Sequence, residues 1–466
     1  MISTDILFLS VRELGQRIKS RQLSPVELTE AYLERGRTLG ARLNAYATLT
    51  PDLALQQARA ADAEIKAGKY RGPLHGIPYA AKDLLAVKGY PTQWGARPYA
   101  NQKFDQDATV IKKLEQAGAI LLGKAAMIEL AGGMGYRFAS ASISGAAKNP
   151  WNEGCWTCGS SSGSGAIVSA AVAAFAIGTE TWGSIVCPSS FTGISGLRPT
   201  YGRVSRHGAM ALAYSMDKIG PMARAAEDCG LVLAAIAGHD DGDRASLPAE
   251  QATFVYPEHI TKTPGPLRIG WIEQKMLVGG GDAVMKDTVA VVKKGANVTD
   301  AKLPDGPWEA AAGIVVSVEG AAAFDSLIES GKVADLVDPS GKIGGYVNQV
   351  IPSGDFVRTQ RIRGVLQTKM TEMFANYDVL ASATLPVTAS KLEENLDEGL
   401  NFPDPMGGIG NFLGLPAISV PCGFAENKMP LGLQFVAAPL NEHLVLRAAS
   451  AFQSQTDWHK KHPPVA

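Results

Sequence analysis

Short apolar segments alternate with amphipathic ones along most of this chain, and this alternation restricts the fold more than any other feature. Six segments have the length and composition of strands: GIPYAAK, AILLGKA, LRIGWI, YDVLAS, AISVP and GLQFVAA. DATVIKKLEQAG and EHLVLRAASAFQSQ have the apolar spacing of helices. Alternating strands and helices usually build one sheet with helices packed on it. The sequence therefore predicts an α/β fold around a mostly buried sheet.

The N-terminal 70 residues have a helical pattern. In SPVELTEAYLERG, Ser24 is placed to cap a helix and Pro25 occupies the first helical position. Glu27 stands where a glutamate would complete a capping box with Ser24. We therefore expect a helix to begin directly after Ser24.

The most apolar segment, GAIVSAAVAAFAIG at 165–178, is too short to cross a membrane. As a helix it would be about 21 Å long, against about 30 Å for the hydrocarbon core of a bilayer. We interpret it as one helix buried inside the protein.

The charge balance argues against large charged partners. The chain has 44 basic and 45 acidic residues, a net charge of −1, and no long run of one sign. Nothing here indicates a nucleic-acid or membrane partner, so a small-molecule substrate is expected. The N-terminus lacks the basic region and apolar length of a signal peptide, which predicts a cytoplasmic protein. A monomer and a homodimer are both compatible with the sequence.

Five cysteines, Cys155, Cys158, Cys187, Cys229 and Cys422, are too few and too dispersed for a disulfide framework. Cys155 and Cys158 form a C-x-x-C that could be half of a zinc site, but no second ligand pair completes it. We interpret these two as neutral loop thiols and expect neither a metal nor a cofactor.

The segment CGSSSGSGAIV at 158–168 admits three chemistries. A phosphate-binding loop would need a lysine that does not occur before Arg198, and GSGAIV breaks the dinucleotide pattern. GSSSG matches a nucleophile elbow with Ser161 as nucleophile, but a polar loop precedes it instead of a buried strand. In the third interpretation a neutral Lys82, flanked by apolar residues in GIPYAAKDLL, activates a serine. A solvent-facing Lys82 is the plain alternative.

Several long segments resemble the amidase signature family of serine hydrolases. They are GIPYAAKDLLAVKGYPTQWGA, GSSSGSGAIVSAAVAA, GTETWGSIVCPSSFTGISGLRPTYGRVSRHG, SMDKIGPMAR and LGLPAISVPCGFAENKMPLGLQFVA. The likeness covers nearly the whole chain and is weak over 239–375. It implies a single domain over 1–466 with a central mixed β-sheet covered by helices. The N-terminal helical part would be 1–70, the catalytic core 71–238 and 376–466, and the less regular, insertion-rich part 239–375.

The resemblance also implies a catalytic triad of serine, cis-serine and lysine. Ser184 matches the nucleophile, Lys82 the base and Ser160 the serine that bridges them. The backbone amides of Thr181, Trp182, Gly183 and Ser184 would form the oxyanion hole. In LAGGMGYRF, the residues placed to approach the acyl group are Gly133, Met134 and Tyr136.

The chain departs from the commonest family pattern around the nucleophile. Trp182 stands where glycine is usual, and Glu180 replaces the usual aspartate. Together with Val-Cys-Pro after Ile185, this is more similar to free-standing bacterial amidases than to the amidase component of tRNA-dependent amidotransferases. Trp182 adds an apolar surface expected to contact substrate. His207 is interpreted as a loop residue, since a lysine already fills the role of base.

The expected activity is cleavage of C–N bonds in small amides through an acyl-enzyme. Carbamates (urethanes) and ureas, which some relatives attack, extend the candidate substrates, and ester hydrolysis is expected as a side activity. Two alternatives remain: an amidotransferase A-type subunit that releases ammonia for a partner, and a non-catalytic binding module. The presence of Lys82, Ser160 and Ser184 together argues against the binding module.

Overall fold

The computed structural model describes residues 2–257 and 265–464, and an eleven-stranded sheet runs through the middle of these residues. The strand order is β1-β3-β2-β6-β8-β7-β12-β13-β11-β9-β10, and β4 and β5 form a separate hairpin. The strands are β1 Tyr46–Leu49, β2 Pro78–Lys82, β3 Ile120–Ala125, β4 Lys148–Asn149, β5 Asn152–Trp156, β6 Phe175–Glu180, β7 Ser195–Arg198, β8 Lys218–Ala223, β9 Leu267–Trp271, β10 Ala296–Asp300, β11 Val379–Ala383, β12 Ala417–Phe424 and β13 Pro430–Val436.

Helices cover both faces of this sheet. They are α1 Thr4–Leu7, α2 Val11–Lys19, α3 Pro25–Arg35, α4 Pro51–Lys66, α5 Thr109–Gln116, α6 Ser162–Ser169, α7 Val186–Thr192, α8 Ala226–Ile236, α9 Ala249–Ala252, α10 Gly281–Val292, α11 Trp308–Ala323, α12 Asp325–Glu329, α13 Pro339–Gln349, α14 Ser353–Asn376, α15 Leu396–Gly399, α16 Pro405–Phe412 and α17 Glu442–Gln453.

The sheet is mixed, as the family resemblance implies. Strands β2, β3 and β6 are parallel neighbours, as are β9, β10 and β11, whereas β6, β8, β7, β12 and β13 pair antiparallel in that order. Every residue of β2, β3, β6 and β8 is buried. Strands buried on both faces read as continuous apolar runs, which is why the sequence shows them clearly. The predicted single-domain α/β fold is confirmed.

The prediction of one buried helix over 165–178 is wrong. Helix α6 ends at Ser169, Ala171 has a left-handed φ of 50°, and β6 starts at Phe175. The segment is fully buried, as expected, but it packs as a helix, a turn and a strand. A short run of alanine and valine carries no periodicity that separates these states. Among the described residues no helix is long and apolar enough to span a membrane.

The start of α3 follows the prediction in part. Ser24 caps the helix and Pro25 is its first residue, but the Ser24 side chain accepts a hydrogen bond from Val26 N at 3.2 Å. No capping box with Glu27 forms.

Region 239–375 is also more regular than predicted, because it contributes β9, β10 and α9–α14.

Candidate active site

Three chain segments meet at one edge of the central sheet. Lys82 is the last residue of β2, which runs parallel to β6, with Ala81 opposite Ile177. The turn after β6 carries Ser184 and leads into α7, and Ser160 lies just before α6. Parallel strands end at the same edge of a sheet, so their following loops come together there. The topology therefore brings the ends of β2 and β6 to the same edge. A hydrogen bond joins Lys82 to Ser160, and among the described residues none joins either of them to the Ser184 hydroxyl.

Lys82 is completely buried and donates hydrogen bonds to neutral oxygen atoms. Its Nζ lies 2.7 Å from Ser160 Oγ, 2.9 Å from Thr179 Oγ1 and 3.4 Å from the Thr179 carbonyl oxygen. Burial lowers the pKa of Lys82 to about 7, although the more distant carboxylates of Asp217 and Glu180 oppose the shift. Near neutral pH a large fraction of this amine can accept a proton. The alternative of a solvent-facing lysine is wrong.

Ser160 and Ser161 have different surroundings. The Gly159–Ser160 peptide bond is cis, and the Ser160 hydroxyl contacts Lys82. The Ser161 hydroxyl contacts the backbone of Thr179 instead: it donates to the carbonyl at 3.2 Å and accepts from the amide at 3.3 Å. Both capacities of the Ser161 hydroxyl are used, so this arrangement offers no support for the nucleophile-elbow interpretation.

The turn between β6 and α7 carries the backbone amides that are predicted to form the oxyanion hole. In the described part of the chain, no backbone or side-chain acceptor takes the amide protons of residues 181–184. The next two amides, Ile185 and Val186, both donate to Glu180 Oε2, at 2.8 and 3.0 Å. Gly183 has a φ of 79°, which favours glycine at this position. Four successive amides thus remain available for a ligand oxygen, next to the nearly buried Ser184.

Glu180 holds this turn through a buried ion pair that sequence reasoning missed. Its Oε1 accepts from Arg198 Nη1 at 2.6 Å, and both side chains are fully buried. Burial alone would raise the pKa of Glu180, but the charges of Arg198 and Lys218 outweigh it and lower the pKa to about 2. The carboxylate therefore stays charged and keeps in place the amides of Ile185 and Val186, at the start of α7. The sequence signal for this role was the acidic residue at the end of a strand, immediately before a glycine-containing turn.

Trp182 lies on the α16 side of this turn. Its indole Nε1 donates to Asp404 Oδ2 at 2.9 Å, and the ring is half-buried against the core. Burial raises the pKa of Asp404 to about 7, and the nearby Glu309 carboxylate acts in the same direction. The indole thus has a structural partner, and its predicted contact with substrate stays a prediction.

The three residues chosen from LAGGMGYRF have different neighbours in the structure. Gly133 packs against Leu212 so closely that a Cβ at residue 133 would overlap the Leu212 side chain. Met134 is buried against Gly345 of α13. Tyr136 is half-buried and packs edge-to-face on Trp156, with ring centroids 6.1 Å apart. None of the three lines the cavity described next, although Gly133 lies against its wall residue Leu212, and their predicted role toward the acyl group stays a prediction.

A cavity of about 370 Å³ adjoins the catalytic segments, a volume typical of sites for small organic molecules. Thr179, which contacts Lys82, and Thr181 belong to its wall, whereas Lys82, Ser160 and Ser184 are not among the residues that line it. Charged side chains at its rim include Arg206, stacked between two tyrosine rings, and the exposed Arg244. Most of the remaining wall is apolar: Leu84, Ala131, Ala209, Met210, Ala211, Leu212, Tyr214 and Ile219.

His207 also lines this cavity, in a loop, where its Nδ1 lies 3.2 Å from the Gly242 carbonyl oxygen. This placement agrees with its interpretation as a loop residue. No group of three or more histidine, cysteine or acidic residues within 2–257 and 265–464 is arranged to hold a metal ion.

The interpretation of Cys158 as a free thiol is wrong. Cys158 and Cys187 form a disulfide with their Cα atoms 5.9 Å apart. Cys155, the other half of the C-x-x-C, is a buried free thiol. The pairing could not be read from spacing, because the two cysteines are 29 residues apart and meet only when the loop before α6 packs against α7.

Comparison with known proteins agrees with this geometry. A sequence profile of the family Amidase matches residues 27–446. The A-type component of the glutamyl-tRNA(Gln) amidotransferase from Acinetobacter baumannii (strain AYE) is 38% identical over 99% of both chains. The native peptide amidase of Stenotrophomonas maltophilia superposes with a TM-score of 0.85 at 29% identity, covering 98% of each chain. A bacterial aryl acylamidase, 22% identical with a TM-score of 0.84 over 97% of this chain and 98% of its own, shares the fold. This chain belongs to the amidase signature family.

Proposed function

We propose that the chain is a serine hydrolase that cleaves the C–N bond of small amides through an acyl-enzyme on Ser184. One observation carries this proposal: a buried lysine with neutral partners contacts Ser160 beside a turn with four available amides. A lysine that is neutral near pH 7 can accept a proton, and the amides can stabilise an oxyanion.

In the proposed reaction, neutral Lys82 takes the proton of Ser160 as Ser160 takes the proton of Ser184. The Ser184 oxygen attacks the carbonyl carbon, and the negative oxygen binds the amides of 181–184. The C–N bond then breaks, and the proton returns through Ser160 to the departing amine. Water attacks the resulting ester by the same proton transfers and releases the carboxylic acid.

The cavity supports a substrate with an apolar part. Its polar neighbours are largely satisfied within the protein: Asp217 accepts hydrogen bonds from Thr181 Oγ1, Leu212 N and Ala213 N. What remains facing the cavity is mainly aliphatic and aromatic surface. Uncharged amides with an alkyl or aryl group fit this surface, and carbamates and ureas with such groups present the same carbonyl chemistry. Esters should react as side substrates, because their leaving group needs less protonation.

A second candidate function rests on the sequence relatives. The amidotransferase component from Acinetobacter baumannii is 38% identical to this protein across almost the entire chain. By analogy, this chain would release ammonia from an amide for a partner protein. A protein of that kind would co-purify with its partner and hydrolyse simple amides poorly when alone.

The disulfide between Cys158 and Cys187 is unusual for the predicted cytoplasmic location. Disulfides are rare in cytosolic proteins, because thiol systems keep cysteines reduced there. The location remains a prediction, as does the choice between a monomer and a homodimer.

The experiment is a panel of alkyl and aryl amides, carbamates, ureas and esters, assayed with the purified chain and with Ser184→Ala. Ser190→Ala is a matched control, because Ser190 is a buried serine in α7 whose hydroxyl has no hydrogen-bond partner among the described residues. Turnover by the wild type and the control, and none by Ser184→Ala, supports the proposal. Turnover that survives Ser184→Ala contradicts it. Activity that appears only with a co-purifying protein favours the amidotransferase alternative.

A further inference from the structure

One covalent bond joins the two segments that carry the catalytic serines. Cys158 precedes Ser160 by two residues, and Cys187 follows Ser184 by three. Their disulfide links the loop before α6 to the first turn of α7. The described residues contain no other disulfide. Because the disulfide lies within three residues of both serines, it can affect how the two serines are placed relative to each other.

The two ends of this bond differ in how firmly they are held. On the α7 side, Glu180 fixes Ile185 and Val186, and Cys187 N donates to the Gly183 carbonyl at 2.8 Å. On the other side, Cys158 has a φ of 66°, a left-handed conformation that non-glycine residues adopt only when their surroundings enforce it. The disulfide therefore joins the loop before α6, where Cys158 has an unfavourable backbone conformation, to the start of α7, which several hydrogen bonds hold.

The bond lies inside a second, smaller hydrophobic cluster. Cys158 and Cys187 are buried together with Ile128, Trp156 and Phe191. This environment shields the sulfur atoms from dissolved thiols, which suits a permanent link better than a bond that exchanges. The same cluster contains the free Cys155, which makes no bond to either catalytic segment.

We propose that Cys158 and Cys187 are positioning residues, whose disulfide keeps Ser160 aligned with Ser184 while Ser160 also contacts Lys82. The inference rests on the proposed function, because it concerns the proton transfer between the two serines. Ser160 is otherwise held by the 2.7 Å hydrogen bond from Lys82 to its hydroxyl and by a 3.2 Å hydrogen bond from Ile128 N to its carbonyl, and neither of these reaches α7. Without the disulfide the loop can move relative to α7, which lengthens the path of the proton. Neither Cys158 nor Cys187 lines the cavity, so substrate binding should change little.

The first test counts thiols and then measures the rate per active site. Denatured wild-type protein, never exposed to reductant, should react with a thiol reagent at three of its five cysteines. Fluorophosphonate titration gives the number of functional sites in wild type, Cys158→Ser, Cys187→Ser and Cys158→Ala/Cys187→Ala. We expect kcat per titrated site on an anilide to fall about tenfold or more, with KM within about twofold, because misalignment of reacting groups acts on the chemical step. Cys155→Ser is the matched control and should keep the wild-type kcat.

The second test uses the wild-type chain, in case the variants fold poorly. Because the sulfur atoms are shielded, dithiothreitol is applied until thiol counting on a denatured sample gives five free thiols. Dithiothreitol converts the disulfide to two thiols and becomes the cyclic disulfide itself. The protein is assayed after the reagent is removed and again after reoxidation. Reduced protein should show the same loss per site, and reoxidation should restore it. Five free thiols in untreated protein, an unchanged kcat per site, or an equal loss in Cys155→Ser would overturn the inference. Absence of turnover and labelling in untreated wild type would instead overturn the proposed function.

Discussion

Two buried lysines on neighbouring strands have opposite chemical surroundings. Lys82 ends β2, Lys124 lies in the parallel strand β3 opposite Ala81, and both side chains are completely buried. Lys124 Nζ donates to Asp83 Oδ1 at 2.9 Å, and this carboxylate is buried as well. The hydrogen-bond acceptors of Lys82 are a serine hydroxyl and the side chain and carbonyl of Thr179.

The difference shows how the partner, rather than burial, decides what a buried lysine does. Burial lowers the pKa of both amines, but the adjacent Asp83 opposes this shift at Lys124. A contacting carboxylate favours the ammonium form and makes a structural ion pair, whereas neutral oxygen atoms leave the amine free to lose its proton. One lysine therefore suits a structural role and the other the role of a base.

The largest effect should come from removing the base. Lys82→Met keeps most of the volume and leaves no contacting carboxylate unpaired, so the fold should persist. Amide turnover should fall by about 10²–10⁴-fold, the range for loss of a general base. Steady-state rates on an anilide, with circular dichroism as a check of folding, measure this. A variant that folds and keeps more than a tenth of wild-type turnover contradicts the assignment.

Removing the other lysine should damage stability instead of catalysis. Lys124→Met leaves Asp83 buried without its counter-ion, which costs about 3–5 kcal/mol. The added substitution Asp83→Asn should recover part of this loss, because it removes the unpaired charge. Urea unfolding gives the free energies, and fluorophosphonate titration gives kcat per functional site. The comparison fails if kcat per site drops in Lys124→Met as far as in Lys82→Met.

A third variant makes the surroundings of Lys82 similar to those of Lys124. Thr179→Asp places a carboxylate beside the Lys82 amine and should raise its pKa by about one unit or more, since an adjacent opposite charge favours the ammonium. Because only the neutral amine accepts a proton, the rising limb of the rate profile should move to higher pH. Turnover at pH 7 should then fall about fivefold or more and recover under alkaline conditions.

Thr179→Val controls for the loss of the threonine hydroxyl in the preceding experiment. It removes one hydrogen bond to Lys82 without adding a charge, so its rate profile should keep the wild-type midpoint. An alkaline shift in Thr179→Val equal to that of Thr179→Asp would show that the charge is not the cause.

The smallest effect should come from changing Trp182, the hydrogen-bond partner of the buried Asp404 carboxyl group. Asp404 accepts from the neutral indole of Trp182, and Trp182→Phe removes that donor while keeping an aromatic ring. An unmade hydrogen bond to a buried group costs about 1–3 kcal/mol. We expect a lower melting temperature and similar, modest rate losses on aryl and alkyl amides. A selective rise in KM for aryl amides would instead support the contact between Trp182 and substrate.

The sequence predicted the parts of the fold that depend on local pattern. The strands around Lys82 and after Asp378 are continuous apolar runs, and the cap at Ser24 needs only neighbouring residues. For the apolar segment 165–178 the local pattern predicted one helix, which is wrong, because a short run of alanine and valine occurs both in buried helices and in buried strands.

The site residues that lie within a sequence motif could be predicted. The contacts between segments distant in sequence could not. Lys82 and Ser160 were selected from their motifs, and the structure places them in contact. The ion pair of Glu180 with Arg198 and the disulfide at Cys158 depend on which loops pack together, and no spacing rule contains that information.

The central claim is that a neutral Lys82 activates Ser184, and the pH dependence of covalent labelling tests it most directly. The rate of labelling by a fluorophosphonate should rise with pH through about 7, as Lys82 loses its proton, and peptide mapping should locate the label on Ser184. Lys82→Met should be labelled slowly, without this rise. A label on Ser161, or a wild-type rate that does not change from pH 5 to pH 9, would contradict the account.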